Sequence, residues 1–536
     1  MSIKGCKRVT ENIWSPWVKS DAGIKKGRSI KISKLLIMAA CTLLTSGCTP
    51  GEGSKSDIPP MAITPSPLQV EYQQMEVIGF LHFSINTFTG REWGYGDESP
   101  DLFNPSEADV EQWVITAKKG GIKELILTAK HHDGFCLWPS AYTEHSIRNS
   151  PYMNGEGDLV AEFTDACRKH GIKPGLYLSP WDRNHRDYGR PEYIEYYRNQ
   201  IRELLTNYGN INEIWFDGAN GGDGYYGGAN EIRVIERERY YDWENTFKLV
   251  KELQPEIMIF SDAGPDIRWT GNEQGIAGET FWSTIDAGRL VPGVADQAYL
   301  NSGDPDGTEW ITGQCDVSIR PGWFYRPEED SLVKSAEQLV DIYYKSVGRN
   351  AVMLLNMPPD RRGVIHENDV AALMEFRQII DATFSIDFTT GASVRATSQH
   401  MGGRAFSPEN IIDDNSDSYW AAGDSVTTAT ITLKHKKPVT FDRIMISEPV
   451  RLGQRVISFS IEANDGNGWR EIARGTTIGH KRLFRIEPVT AKTVRIHITE
   501  SMDTPAISEF GLYLYGQNRQ LRTGIQGFNN TAIRVQ

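Results

Sequence analysis

From residue 65 onward the chain alternates short apolar runs with stretches that carry apolar residues at helical spacing. Runs at about 77–83, 124–130, 173–179, 211–216, 256–261 and 351–355 predict strands. Between them Glu107–Gly120, Asp158–His170, Glu192–Tyr208 and Tyr241–Leu253 predict helices, as the spacing of Leu159, Phe163, Ala166 and Cys167 illustrates. Gly171, Gly209 and Pro255 supply helix stops, and a further helix over Ser331–Ser346 leads into Ala351–Asn356. That rhythm of strand and helix is the mark of a parallel sheet covered by helices. Over residues 65–385 it predicts an α/β fold, a (β/α)8-like TIM barrel of ordinary size.

After residue 386 the period changes. Thr427–Leu433, Arg443–Ser447, Ile457–Ala463 and Thr493–Ile498 alternate apolar and polar positions between turn residues, which predicts an antiparallel all-β sandwich over 386–516 and leaves 517–536 as a tail. Asn410-Ile411-Ile412-Asp413-Asp414-Asn415-Ser416-Asp417-Ser418-Tyr419-Trp420 resembles the signature of discoidin-like (F5/8 type C) modules. The resemblance leaves three roles open: sugar binding, a structural buttress, or an acidic turn that holds calcium through oxygen ligands.

The N-terminus reads as a targeting segment over 1–48, followed by a linker over 49–64. Lys31 and Lys34 precede the apolar run Leu35–Leu44, which is shorter than the roughly 20 residues a membrane-spanning helix needs. Thr45-Ser46-Gly47-Cys48 then resembles the end of a bacterial lipoprotein signal, which implies lipidation of Cys48, export to the periplasm or cell surface, and membrane attachment. An ordinary secretory signal with a coincidental cysteine is the alternative. Thr49–Pro60, rich in Gly, Ser and Pro, reads as a flexible tether.

Composition narrows the function. At 536 residues the chain exceeds the size of one hydrophobic core, so at least two domains are expected. A net charge of -13 without a basic cluster argues against a nucleic-acid partner. The 14 Trp and 21 Tyr suit stacking on sugar rings as well as core packing. Past the leader only Cys136, Cys167 and Cys315 remain, which allows one bridge and supports no structural zinc site.

The strongest chemical signal lies in how the strands end. Ile214-Trp215-Phe216 stops at Asp217-Gly218, Val77–Leu81 stops at His82, and Leu125–Ala129 stops at Lys130-His131-His132-Asp133. Polar groups at strand ends of a barrel gather on its C-terminal rim, where barrel enzymes keep their chemistry. Adjacent His131 and His132 do not have the His-x-His spacing that puts two metal ligands on one strand face, although at a strand end both can still reach the pocket. Carboxylates after the fifth strand are Asp262, Glu273 and Glu279. The loop 219–230, glycine-rich and placed after the Asp217 strand, is either a solvated loop or a lid near the leaving group.

Several motifs in series carry a family resemblance. Phe80–Phe88, Lys130–Phe135, Leu178–Arg183 and Trp215–Gly218 together resemble the family 29 α-L-fucosidases over nearly the whole barrel. Ser261–Glu273 and Ser318–Tyr325 are similar to the branch that prefers α-1,3/1,4-linked fucose. The resemblance implies an exo-acting retaining glycosidase acting on fucosylated glycans, without metal or cofactor, and with a C-terminal sandwich. It implies Asp217 as nucleophile and Glu273 as acid/base, with Glu279 as the runner-up. His82, His131, His132, Trp93, Tyr177, Trp181 and Trp323 are candidates for substrate binding. The competing reading is a surface glycan-binding protein that has kept the barrel and lost catalysis.

Overall fold

The computed structural model describes residues 57–294 and 296–516. Cys48, the rest of the targeting segment and the tail 517–536 lie outside those residues. Eight parallel strands close a barrel in chain order: β1 Val77–Leu81, β2 Glu124–Lys130, β3 Lys173–Leu178, β4 Glu213–Trp215, β5 Met258–Ser261, β6 Ile267–Trp269, β7 Thr312–Ser318 and β8 Val352–Asn356. Register closes through Val77 against Met353 on one side of β1 and Gly79 against Leu125 on the other.

Inward positions alternate with outward ones as the pleat requires. Ile78, Phe80, Ile126, Tyr177, Trp215, Phe260 and Leu354 fill the barrel lumen, while Leu81, Leu127 and Ile214 face the helical layer. The lumen also holds polar groups: Gln314 donates to Tyr72 and Glu213 and accepts from the Trp215 indole. Helices begin at side-chain caps, with Ser66 in a capping box before Pro67, and Asp109 and Asp158 accepting from their own first turns. Gly171 ends its helix in the left-handed conformation that a side chain disfavours.

The structure adds two barrel strands that hydrophobic pattern does not reveal, β6 and β7. β7, Thr-Gly-Gln-Cys-Asp-Val-Ser, breaks the apolar pattern because Gln314 and Asp316 turn into the lumen and find partners there.

The second domain is an antiparallel sheet ordered β9–β10–β13–β11–β12, with β14 also paired to β10. Its strands are β9 Ser393–Ala396, β10 Ala429–Ser447, β11 Val456–Asn464, β12 Trp469–Gly475, β13 Arg482–Ser501 and β14 Glu509–Tyr513. The runs expected at 427–433 and 443–447 are one long strand, whose pairing with β13 shifts register between Lys434 and Val439. A two-stranded pair, Trp420–Ala421 with Ala506–Ile507, lies outside the main sheet.

Barrel and sandwich are joined by charge and hydrogen bonds. Glu76 meets Lys481 and His480 and accepts from Tyr343, and Gln454 bridges Phe281, Ser283 and Asn350. The expected tether is corrected at its C-terminal end. Ile58 is 1% exposed among Phe406, Tyr419, Leu452 and Ala506, Asp57 pairs with Arg451, and Met61 donates to the Leu452 carbonyl. Residues 57–61 thus form a strap on the sandwich before the chain enters the barrel. The one bridge allowed by the cysteine count does not form: Cys136, Cys167 and Cys315 are separate buried thiols. Among the described residues no helix is long and apolar enough to cross a membrane.

Candidate active site

Asp217 sits two residues beyond β4, at the C-terminal rim of the barrel. About a quarter of its side chain is exposed. Its Oδ1 accepts from the Ala219 amide at 2.6 Å and its Oδ2 from the Tyr177 hydroxyl at 3.1 Å. Burial raises the Asp217 carboxyl above its usual range, and those two hydrogen bonds oppose the rise by favouring the charged form. Gly218 leaves no slack behind it: a Cβ there would lie 2.8 Å from Asp262 Oδ2.

The three histidines converge on this carboxylate. His131 stacks on Tyr177 with centroids 5.5 Å apart, His132 places Nε2 4.0 Å from Asp217 Oδ2, and His82 lies 5.6 Å from His131. His132 Nδ1 is 2.6 Å from Ser179 Oγ, and His82 Nδ1 is 3.0 Å from Asn356 Oδ1. Burial pushes His82 and His132 down to about 3 and His131 well below its ordinary value, so the imidazoles stand neutral at physiological pH. With Nδ1 engaged by Asn356 in His82 and by Ser179 in His132, each of those rings has its Nε2 left for a sugar hydroxyl, while His131 Nδ1 is without a hydrogen-bond partner among the described residues.

Glu273 follows β6 on the rim. Its Oε2 accepts from the Trp323 indole N–H at 3.2 Å. Partial withdrawal from water raises the Glu273 carboxyl, the Trp323 bond opposes, and the charge of Asp217 raises it further. The electrostatic link to Asp217 puts the two carboxylates in one field. Trp323 also lies 5.1 Å from His82, and its backbone N–H donates to Glu92. Glu92 is itself raised by burial.

Trp93, 48% exposed, meets His132 edge-on at 5.7 Å and Trp181 at 5.6 Å. Trp181 donates its indole N–H to Tyr226 and packs where a side chain at Gly222 would stand. The loop 219–230 is therefore built against the aromatic wall: Gly222–Gly224 pairs with Glu231–Arg233 as a small hairpin, and Arg183 ties Asp223 and Gly94 together.

Glu279 is placed elsewhere. Its carboxylate is held by Arg349 of the barrel and Arg482 of the sandwich, a contact between the domains, so it has a structural role where Glu273 faces the pocket. Glu279 lies six positions beyond Glu273, and the chain between them passes through Gly275 at φ +74°. The site also contains two further acids, Asp262, where the β5 run ends, and Asp316, which lies within β7 and which strand-end logic does not find. The two Asp262 oxygens share the single Gly293 N–H, at 3.0 and 2.9 Å, and the carboxyl is pushed up to about 6, by burial first and then by Asp217. Asp316, on β7, accepts from the Trp269 indole at 2.7 Å and is raised well above its ordinary value by burial, with Glu273 adding to the rise. Among the described residues no group of three or more His, Cys, Asp or Glu converges to hold a metal ion.

A strand-end aspartate beside a second, raised carboxyl, walled by neutral imidazoles and indoles, is suited to acid-assisted attack on a sugar acetal. Comparison with known proteins agrees. The α-L-fucosidase family model matches residues 68–381, and the F5/8 type C domain model matches 393–510. Alpha-L-fucosidase 1 of Arabidopsis thaliana is 43% identical over 85% of this chain and 88% of its own length. Putative alpha-L-fucosidase 1 of Oryza sativa subsp. japonica is 42% identical over 85% and 86%. A crystal structure of a putative alpha-L-fucosidase from Bacteroides thetaiotaomicron superposes with a TM-score of 0.80 at 42% identity, covering 86% of this chain and all of that one. A Ruminococcus gnavus GH29 fucosidase in complex with fucose gives 0.77 at 34% identity, covering 86% and 97%. The chain belongs to the α-L-fucosidase family, glycoside hydrolase family 29, and is an enzyme of that class with an F5/8 type C domain behind its barrel.

Proposed function

We propose that the chain is an exo-acting retaining α-L-fucosidase that removes terminal α-1,3/1,4-linked L-fucose from glycans by double displacement. The observation that carries the reading is the pairing of unlike carboxyls on one rim, Asp217 hydrogen-bonded at both oxygens and Glu273 raised in part by Asp217's charge. Asp217 attacks the anomeric carbon while Glu273 protonates the departing oxygen; Glu273 then draws a proton from the water that releases fucose. Once Asp217 is esterified its charge is gone, the Glu273 carboxyl falls, and the acid becomes a base. His82, His131 and His132 hold ring hydroxyls, and the indoles of Trp93, Trp181 and Trp323 with Tyr177 form the wall for the sugar's apolar face and C6 methyl.

Linkage preference rests on the resemblance of Ser261–Glu273 and Ser318–Tyr325 to the α-1,3/1,4 branch. Export, and attachment to a membrane through lipidated Cys48, rest on the pattern of residues 31–48. Release of fucose from a branched α-1,3/1,4-fucosylated oligosaccharide and from a linear α-1,2-fucoside, by the parent and by Asp217→Ala, tests the reaction. The parent should act on the branched substrate and the mutant should lose hydrolysis while still binding fucose. Preference for the linear substrate would refute the linkage, and an active mutant would refute the nucleophile.

A further inference from the structure

Glu273 stands on a short turn that has its own fastening. The turn runs from Thr270, just past β6, to Ile276; Glu273 and Gln274 at its tip are exposed, while Gly271 and Gly275 on either side are buried. Asn272, directly before the acid, holds the turn from inside. Its Nδ2 donates to the Thr270 carbonyl at 3.2 Å and to the Ile276 carbonyl at 2.7 Å. Its Oδ1 accepts from the Gln274 amide at 3.1 Å and from the Ile276 amide at 3.3 Å. All four hydrogen-bonding positions of the side-chain amide are filled, and the flipped amide would set oxygen against carbonyls and N–H against N–H. With Ile276 the side chain exchanges a donor for an acceptor, as paired residues of antiparallel strands do.

Glycines seat both feet of the turn. Gly271, at φ +78°, lies so close to the Gln297 carbonyl that a side chain would run into it. Gly275, at φ +74°, would place a Cβ 2.6 Å from Ile342 Cγ2 and 3.1 Å from Val317 Cγ1. The Gly275 amide donates to the Asp316 carbonyl at 3.1 Å, and Gln274 bridges to Val317, both on β7. β7 leads in turn to Trp323, whose indole holds Glu273 Oε2. The carboxyl and its donor therefore rest on the same strand, and the shape of the turn sets how they meet.

An exposed connection that only connects tolerates movement at its tip. A general acid does not, because its proton must lie within hydrogen-bond reach of the departing oxygen. We propose that Asn272 is a positioning residue for the acid/base: by closing the turn through its side-chain amide, it fixes the Glu273 carboxyl beside Trp323 and within reach of the leaving group.

The proposal rests on the reading of Glu273 as acid/base, and two substrates separate it from general damage. A sugar hydroxyl leaves the anomeric carbon only with a proton from Glu273, whereas a chloronitrophenolate leaves without one. In folded Asn272→Ala, checked by thermal melting, kcat/KM on a fucosylated oligosaccharide should fall about 10- to 100-fold, the scale of a misplaced catalytic group, while kcat/KM on chloronitrophenyl α-L-fucoside should stay within about 3-fold of the parent. Azide attacks the anomeric carbon of the fucosyl-enzyme, forming a C–N bond and freeing the Asp217 carboxylate without help from a base. It should raise kcat of the variant on the aryl substrate and leave that of the parent unchanged. Asn272→Ser keeps a hydroxyl for the Gln274 amide and loses the bonds across the turn. It should fall between parent and alanine variant, and it serves where the alanine variant does not fold. Equal losses on both substrates, or parental values on both, overturn the proposal. Glu273→Gln should show the same dependence on leaving group more strongly. If it loses both substrates alike, or neither, the acid/base reading has failed and takes the proposal with it.

Discussion

The indole N–H of Trp323 donates to Glu273 across 3.2 Å, so a residue from the loop after β7 sets the charge preference of a carboxyl delivered after β6. A donor to a carboxylate favours its charged form. Trp323→Phe therefore raises the Glu273 carboxyl, and the basic limb of kcat/KM moves to higher pH, by about one unit if the bond is worth 1.4 kcal/mol. A pH–rate profile checks this, and a basic limb that stays in place would separate Glu273 from proton donation.

Tyr177 makes the matching contact with the other carboxyl, donating to Asp217 Oδ2 at 3.1 Å. Tyr177→Phe keeps the ring stacked on His131 and Trp215 and removes only the hydroxyl. Loss of a hydrogen bond to a charged group costs about 1.5–3 kcal/mol, which is roughly a 10- to 150-fold fall in kcat/KM. Since that donor holds Asp217 down, its loss moves the acid limb to higher pH.

Gly218 faces Asp262 so closely that an added methyl would meet its Oδ2 at 2.8 Å and its Cγ at 3.0 Å. Gly218→Ala must shift either Asp217's neighbour in the chain or the Asp262 contact with Gly293. A fall in kcat of about 100-fold is expected, the scale on which an ångström of displacement acts. Parental kcat in a correctly folded Gly218→Ala would show that the rim tolerates such a shift.

Glu76 ties the barrel to the sandwich. Burial alone would raise its carboxyl, but Lys481 and His480 overcome this and hold it far below its ordinary value of 4.5. A depressed carboxyl contributes stability that is complete above the unfolded value and is lost as pH falls through the folded one. Glu76→Gln should destabilise the chain by about 3–5 kcal/mol at pH 7, because it leaves Lys481 without its partner. Urea midpoints should converge with those of the parent as pH drops below 4.5. A difference independent of pH would assign the loss to packing.

Ile58 is the apolar foot of the N-terminal strap. Ile58→Ala should cost about 2–4 kcal/mol, the range for removing a buried aliphatic side chain. A chain that begins at residue 62 should lose more, since it also gives up the Asp57–Arg451 pair and the Met61 hydrogen bond. Thermal melting of the three proteins decides between a strap and a passive tether.

Much of the site was legible because strand ends announce themselves: an apolar run that stops at Asp217 or at His131-His132 has one place to go in a barrel. His82, Trp93, Tyr177, Trp181 and Trp323 join the same cluster. What hid was whatever broke the apolar pattern for the sake of the site. β7 reads as polar because Gln314 and Asp316 satisfy Trp215 and Trp269 inside the lumen. β6 has three residues and follows β5 so closely that the two read as one run and a motif. Composition made residues 57–61 look like tether, since the burial of Ile58 depends on Phe406 and Leu452, about 350 to 400 positions away. Spacing could not separate Glu273 from Glu279; the arginines that claim Glu279 come from distant parts of the chain.

The three isolated thiols have a practical meaning. Cys136, Cys167 and Cys315 lie buried, and burial raises each thiol above its ordinary value, which suppresses the thiolate that exchanges and oxidises. With no bridge among the described residues, this fold needs neither an oxidising catalyst to form nor protection from reductants to persist. The same activity should be recovered from cells or buffers of either redox character.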